Sequence, residues 1–246
     1  PPAIEVEVTP TSNGSLAAKR SVMSHGSQAL LFMITLLLSG MLLSQLIEEK
    51  SNKIIEVLAA AAPIDAIFLG KLFAMLATSM LGILVWTLAG AGAISLIASS
   101  GLNSLPVPAV GWHAFLALSG IYFAMNYLVL GSLFLSIGAQ ASTAREVQTL
   151  SMPVTMSQVL IFGFASMGSG GDNSSIALAG AAFPLSSPLV MIARAAEVPD
   201  LWPHLLAIAW QALWVAVILH LGARFFRRTV MKSGGRRGWF RRAARA

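Results

Sequence analysis

Residues 29–38 read Ala29-Leu30-Leu31-Phe32-Met33-Ile34-Thr35-Leu36-Leu37-Leu38, and only Thr35 among them is polar. The flanks are apolar enough for 27–47 to supply the roughly 20 residues of helix that cross a bilayer core. Four further stretches have the same character: 72–98, 114–138, 147–167 and 203–223. A sixth, 176–196, is broken by Pro184 and Pro188 and ends at Arg194 and Glu197. It is too interrupted to span, so it reads as a re-entrant pair of short helices or a helix at the interface. The expected fold is an all-α polytopic membrane protein, with about five transmembrane helices plus a re-entrant or interfacial helical hairpin. Gly82, Gly90 and Gly92 in the second stretch predict close helix packing there.

Composition agrees. Of 246 residues, 56% are hydrophobic and 11% charged, and the mean hydropathy is +0.76. A soluble domain carries about 25% charge, so a soluble enzyme and a disordered chain are both excluded. The 21 Gly and 11 Pro follow no three-residue period, which excludes collagen. With no Cys there is no disulfide scaffold, thiolate metal site or cysteine nucleophile.

Basic residues set the expected orientation. With the N-terminus outside, Lys50, Lys53, Lys71 and Arg145 fall on the inner side, as do the nine basic residues from Arg224 to Arg245. Only Lys19, Arg20 and Arg194 fall outside, while acidic residues divide evenly. The protein then sits in the cell inner (plasma) membrane with its C-terminus cytoplasmic. Residues 1–26 form an extracytoplasmic polar segment, 27–223 the transmembrane domain and 224–246 a basic cytoplasmic tail. Residues 1–26 hold no apolar run that could serve as a signal peptide. An upstream span is therefore expected, making the chain the C-terminal portion of a longer protein; unaided translocation of a short tail is the alternative. The Gly/Ser stretch from Gly168 to Ser175 reads as an outer loop.

The first inner segment reads Glu48-Glu49-Lys50-Ser51-Asn52-Lys53-Ile54-Ile55-Glu56-Val57-Leu58, with Pro63 and Asp65 beyond it. Glu49 and Lys53 stand four apart with Glu N-terminal, the favoured order for a helical pair. Ile54, Ile55, Val57 and Leu58 supply an apolar face, and Pro63 sets the end. The spacing predicts a short amphipathic helix at the inner surface. It serves either as a charged anchor for the helix end or as a docking element for a cytoplasmic partner.

That run, followed by Pro63 and then Gly70-Lys71, resembles the signature of ABC-2 type transporter permeases, and most closely the NatB-like sodium-exporter permease branch. Phe183-Pro184-Leu185-Ser186-Ser187-Pro188-Leu189-Val190-Met191, with Arg194, is similar to the family's extracellular hairpin before the last span. The resemblance covers about 27–223. It implies a permease subunit of an ATP-driven exporter, powered by a separate cytoplasmic ABC ATPase, with a second permease copy or a related permease completing the path. The complete permease would have six spans. Glu48, Glu49, Lys50, Lys53, Glu56 and Asp65 are the candidate docking residues. ATP belongs to the partner, and no cofactor is expected on this chain. A phosphate loop requires G-x-x-x-x-G-K-[ST]; here Leu72 follows Gly70-Lys71, and Asp65 occupies the place of the first glycine. Lys71 is instead expected to snorkel to the inner interface.

Asn126, Gln158 and Gln211 lie near mid-depth of their spans, where polar side chains face protein or water. They are read as interhelical hydrogen bonds, with path-lining as the functional alternative. The second inner loop, around Gln140 to Glu146, reads as a polar turn or a second ATPase contact. The basic tail, with Trp239 and Phe240 interleaved, suits anionic membrane lipid rather than nucleic acid. His25, His113, His204 and His220 fall at span ends, which predicts interfacial histidines. An intramembrane protease or lipid-modifying enzyme would need a nucleophile such as Ser119 or Ser136 beside a histidine. Neither serine lies in a nucleophile motif, and the histidines form no metal-ligand cluster with carboxylates. A membrane anchor for a cytoplasmic complex is the remaining alternative.

Overall fold

The computed structural model describes residues 13–52, 61–97, 106–141, 143–169 and 174–243. Among these, seven helices and no strand occur: α1 (Asn13–Ser51), α2 (Ile64–Ile97), α3 (Trp112–Gln140), α4 (Ala144–Met167), α5 (Ser175–Ala182), α6 (Ser187–Glu197) and α7 (Trp202–Ala243). Five of them, α1, α2, α3, α4 and α7, are long and apolar enough to cross a membrane. The expected hairpin is the short pair α5–α6.

Local chemistry explains the breaks. Pro63 starts α2, and its carbonyl accepts from the N–H groups of Ala66 and Ile67. Gly111 caps α3 at φ 81°, a left-handed conformation that favours glycine. Thr143 caps α4, its Oγ1 accepting the Glu146 N–H at 3.2 Å, and Glu146 completes the capping-box spacing. Ser174 caps α5 by accepting from the N–H of Ala177. Pro188 stands in the first turn of α6, where its missing N–H has no helical acceptor to serve.

The helices outrun the apolar stretches that announce them. α1 begins at Asn13, well before 27, because Ser, Lys, Arg and His interrupt hydrophobicity without breaking a helix. At 39 residues it is about 58 Å long, nearly twice a bilayer core. α7 runs on past 223 to Ala243.

The spans alternate in direction between two ends. One carries Lys71, Arg145 and Arg227 and is here the basic end; the other carries α5–α6 and is the hairpin end. α3 is the central helix. Its Tyr122, Tyr127, Phe134 and Leu135 are buried among Leu42 and Leu46 of α1, Phe68 and Leu72 of α2, and Val215 and Phe226 of α7. The residues of α6 from Ser187 to Ala193 are all buried, packed mainly on α1 and α3.

The glycines that permit close approach are not the expected ones. A Cβ at Gly82, Gly90 or Gly92 would meet nothing within 4 Å. One at Gly131 or Gly138 of α3 would meet leucine side chains of α1 or α2 at 2.7 Å, and one at Gly222 of α7 would collide with Ser132 Oγ. Among the described residues, these α2 glycines meet no packing partner, because that part of α2 is exposed.

Candidate functional site

A groove of about 340 Å³ lies in the half of the molecule towards the basic end. Leu36, Gly40, Leu43, Ser44 and Ile47 of α1 form one wall, Val147, Gln148, Ser151 and Thr155 of α4 the other, and Phe134 of α3 contributes between them. Its lining is part apolar and part polar, and no charged side chain is among the residues that form it. The hydroxyls of Ser44, Ser151 and Thr155 donate to carbonyls of their own helices, at Gly40, Gln148 and Ser151. Their oxygens still keep lone pairs for an incoming donor. Pro153, between Ser151 and Thr155 on the same helix, cannot donate to the carbonyl of Thr149, so the helix ladder is open there.

Towards the hairpin end the same two helices close on each other. Phe32 of α1 stacks on Phe162 of α4, ring centroids 4.6 Å apart. Beyond the rings, Gln28 is fully buried and its Oε1 accepts from Ser166 Oγ and Ser169 Oγ, both at 3.2 Å. Gln28 was not among the amides singled out from the sequence, because it sits beside the edge of its apolar stretch. The signal was there: Ser24, Gln28, Leu31, Thr35, Ser39, Leu42 and Leu46 recur at intervals of three and four, and all are buried.

The three amides that were singled out are also buried, Asn126 on α3, Gln158 on α4 and Gln211 on α7. Gln211 donates from Nε2 to the Pro184 carbonyl at 2.9 Å, and the neighbouring Trp210 donates from Nε1 to the Ala182 carbonyl at 2.8 Å. Together they pin the α5–α6 turn to the last span. His204 lies at the start of α7, the span end expected for it, and is buried there, with Nδ1 2.8 Å from Tyr122 Oη. His25, His113 and His220 are exposed. Ser119 and Ser136 each donate to a carbonyl of α3 four residues back, at Phe115 and Ser132. Among the described residues no three His, Asp or Glu side chains are grouped as metal ligands.

At the basic end two ion pairs join the helices. Glu49 of α1 binds Lys71 of α2. Asp65, in the first turn of α2, accepts from Arg227 of α7 at 3.0 Å. Lys71 therefore does not simply snorkel: its side chain is 13% exposed and its ammonium is held by Glu49. The pairing of Glu49 with Lys53 that local spacing suggests lies outside the described residues. Glu48 is exposed. Lys53, Glu56 and most of the expected amphipathic helix lie outside the described residues, as does the Lys50 side chain.

Residues 1–224 match the family described as ABC-2 family transporter protein. Over 167 residues, 68% of this chain, it is 28% identical to the uncharacterized protein MJ1024 of Methanocaldococcus jannaschii, covering 39% of that protein. Over 218 residues, 83% of this chain, it is 22% identical to the uncharacterized protein YhaP of Bacillus subtilis, covering 50% of that protein. The chain thus spans half or less of the length of these relatives. No solved structure is a significant match.

Proposed function

The chain belongs to the ABC-2 transporter family, and from that premise we propose that it forms the permease part of an ATP-driven exporter. Permeases of this family generally work with a cytoplasmic ABC ATPase. The observation that carries the reading furthest is the groove between α1 and α4, flanked by buried polar side chains in an otherwise apolar bundle. In this reading the basic end faces the cytoplasm of a cell whose inner membrane holds the protein. The ATPase docks there, on exposed Glu48 and on Lys50, Lys53 and Glu56. Glu49 and Asp65 act one step behind, tying the docking segment to α2 and α7. A second permease copy or a related permease completes the path.

The groove also bears on substrate. A sodium ion, which the NatB-like branch would export, needs several converging hard oxygens. Here the lining is mixed: Leu36, Leu43, Ile47, Phe134 and Val147 stand beside Ser44, Gln148, Ser151 and Thr155, and no carboxylate is among them. An amphipathic organic molecule fits that chemistry better. Asn126, Gln158 and Gln211 remain path-lining candidates, with Gln211 the weakest because its amide is committed to Pro184.

The test is purification of the full-length protein from native membranes in mild detergent. A stoichiometric ATPase with a phosphate loop is expected to accompany it, and Glu48→Lys is expected to lower that recovery. Reproducible absence of any ATPase from folded protein would overturn the reading.

A further inference from the structure

Three levels follow one another along the α1–α4 pair. The groove occupies the half towards the basic end, the Phe32–Phe162 stack stands above it, and the Gln28–Ser166–Ser169 contact stands above the stack. We propose that Gln28, Phe32, Phe162, Ser166 and Ser169 form a gate that closes the groove towards the hairpin end, a proposal that rests on the groove being part of the transport path.

The hydrogen bonds have the form of a switch. A serine hydroxyl carries one proton. Ser166 Oγ has two acceptors in reach, Gln28 Oε1 at 3.2 Å and the Phe162 carbonyl of its own helix at 2.9 Å. Ser169 Oγ likewise reaches Gln28 Oε1 at 3.2 Å and the Ala165 carbonyl at 3.3 Å. When α4 moves away from α1, each proton passes to an acceptor already beside it, so neither hydroxyl is left unpaired. Gln28 Oε1 gives up both donors, and water entering the opened groove takes their place; its buried Nε2 already has no hydrogen-bond partner among the described residues. With water at Oε1, release costs less than breaking a fully satisfied buried amide.

The helix is also built to bend in the right place. Pro153 lies in α4 between the groove residues Ser151 and Thr155, on the basic-end side of Phe162, Ser166 and Ser169. The missing hydrogen bond to Thr149 loosens the ladder there, so α4 can bend at that point and the part beyond Pro153 can move relative to the part before it. The Gln211–Pro184 contact differs in its donor: Nε2 has one carbonyl partner, and Trp210 fixes the same turn beside it, although Gln211 Oε1, like Gln28 Nε2, has no partner among the described residues. The turn of the hairpin is held by α7, while α4 beyond Pro153 also packs on α5 and α6, so those contacts must slide as the α1–α4 contact opens.

The test uses sidedness of labelling in the full-length protein. The chain has no cysteine, so Leu36→Cys places a single thiol of this chain in the groove. Right-side-out and inverted membrane vesicles are treated with a membrane-impermeant maleimide. The expected result is labelling from the basic-end side alone. Adding Gln28→Ala and Phe162→Ala is expected to raise labelling from the hairpin side about tenfold, by shifting the closed population. Ser166→Ala with Ser169→Ala, which leaves the aromatic packing in place, is expected to change it in the same direction. Unchanged hairpin-side labelling in both variants, with folded protein, overturns the gate and leaves the path reading standing. Equal labelling of the parent from both sides also overturns the gate. No labelling from either side overturns the path reading and the gate with it.

Discussion

α3 and the second half of α2 are both apolar helices of membrane-spanning length, yet they occupy opposite environments. α3 touches α1, α2, α4, α6 and α7, and residues 126–132 along it are buried without a break. From residue 80 to 97, α2 has no buried residue, and Trp86, Leu88, Leu96 and Ile97 are each more than half exposed. The buried helix is the more polar of the two: it carries Asn126, Tyr122, Tyr127 and Ser132, whereas residues 80–97 of α2 offer only Thr87 and Ser95 as polar side chains. In water apolar residues are driven inward. In lipid that drive between helices vanishes, and close packing and hydrogen bonds decide what lies at the centre. Hydrophobicity therefore identifies both helices and distinguishes neither.

Glycine substitutions break this comparison most sharply. At Gly222 a Cβ runs into Ser132 Oγ and comes within 3.2 Å of the Phe68 ring and 3.4 Å of Ser136 Oγ. Gly222→Val is expected to cost about 3 kcal/mol or to prevent folding, because a β-branched side chain must force α7 from α3. Gly90→Val on α2, with open space around it, is expected to stay within about 0.5 kcal/mol. Thermal unfolding of the detergent-solubilised protein measures both, and a similar shift for the two would remove the contrast.

Next in size is Tyr122→Phe. It removes the phenol beside His204 Nδ1, and Nε2 of the same buried ring already lacks a partner. The expected loss is about 1–3 kcal/mol, the cost of leaving a buried polar atom unpaired. Thr87→Val is the control on α2. Its hydroxyl donates only to Ile83 of its own helix and faces outward, so the expected change is under about 0.5 kcal/mol. Guanidinium or SDS unfolding followed by tryptophan fluorescence reads both.

These contrasts also show what the sequence made legible. Five apolar runs marked five spans, since a bilayer imposes a length that a sequence displays. Pro184 and Pro188 marked the hairpin. The helix ends were not legible, because hydrophobicity reports membrane thickness while α1 and α7 continue through polar residues that helices tolerate. Faces were not legible either. A span apolar all round has no direction of its own, so Gly90 read as a packing glycine and Gly222 did not stand out. At the site, Gln211 was visible as an intramembrane amide, but its partner is the carbonyl of Pro184, and a carbonyl leaves no mark in a sequence. Gln28, beside the edge of its run, needed its distant serines to become significant, and those pairings span 138 and 141 residues.

The smallest effect tests the premise behind the others. Trp86 is 79% exposed on α2, and in water such a side chain would be an aggregation hazard. In the membrane its exposed face meets hydrocarbon, and exchange for Leu leaves one apolar group in place of another. Trp86→Leu is therefore expected to change stability by less than about 0.5 kcal/mol, in detergent and in lipid nanodiscs alike. The ring has no packing partner to lose among the described residues, so a loss above about 1 kcal/mol would have to come from a contact outside them. That result would show the second half of α2 covered. The contrast with α3 would then be one between two buried surfaces, one covered by the helices described and one covered from beyond them.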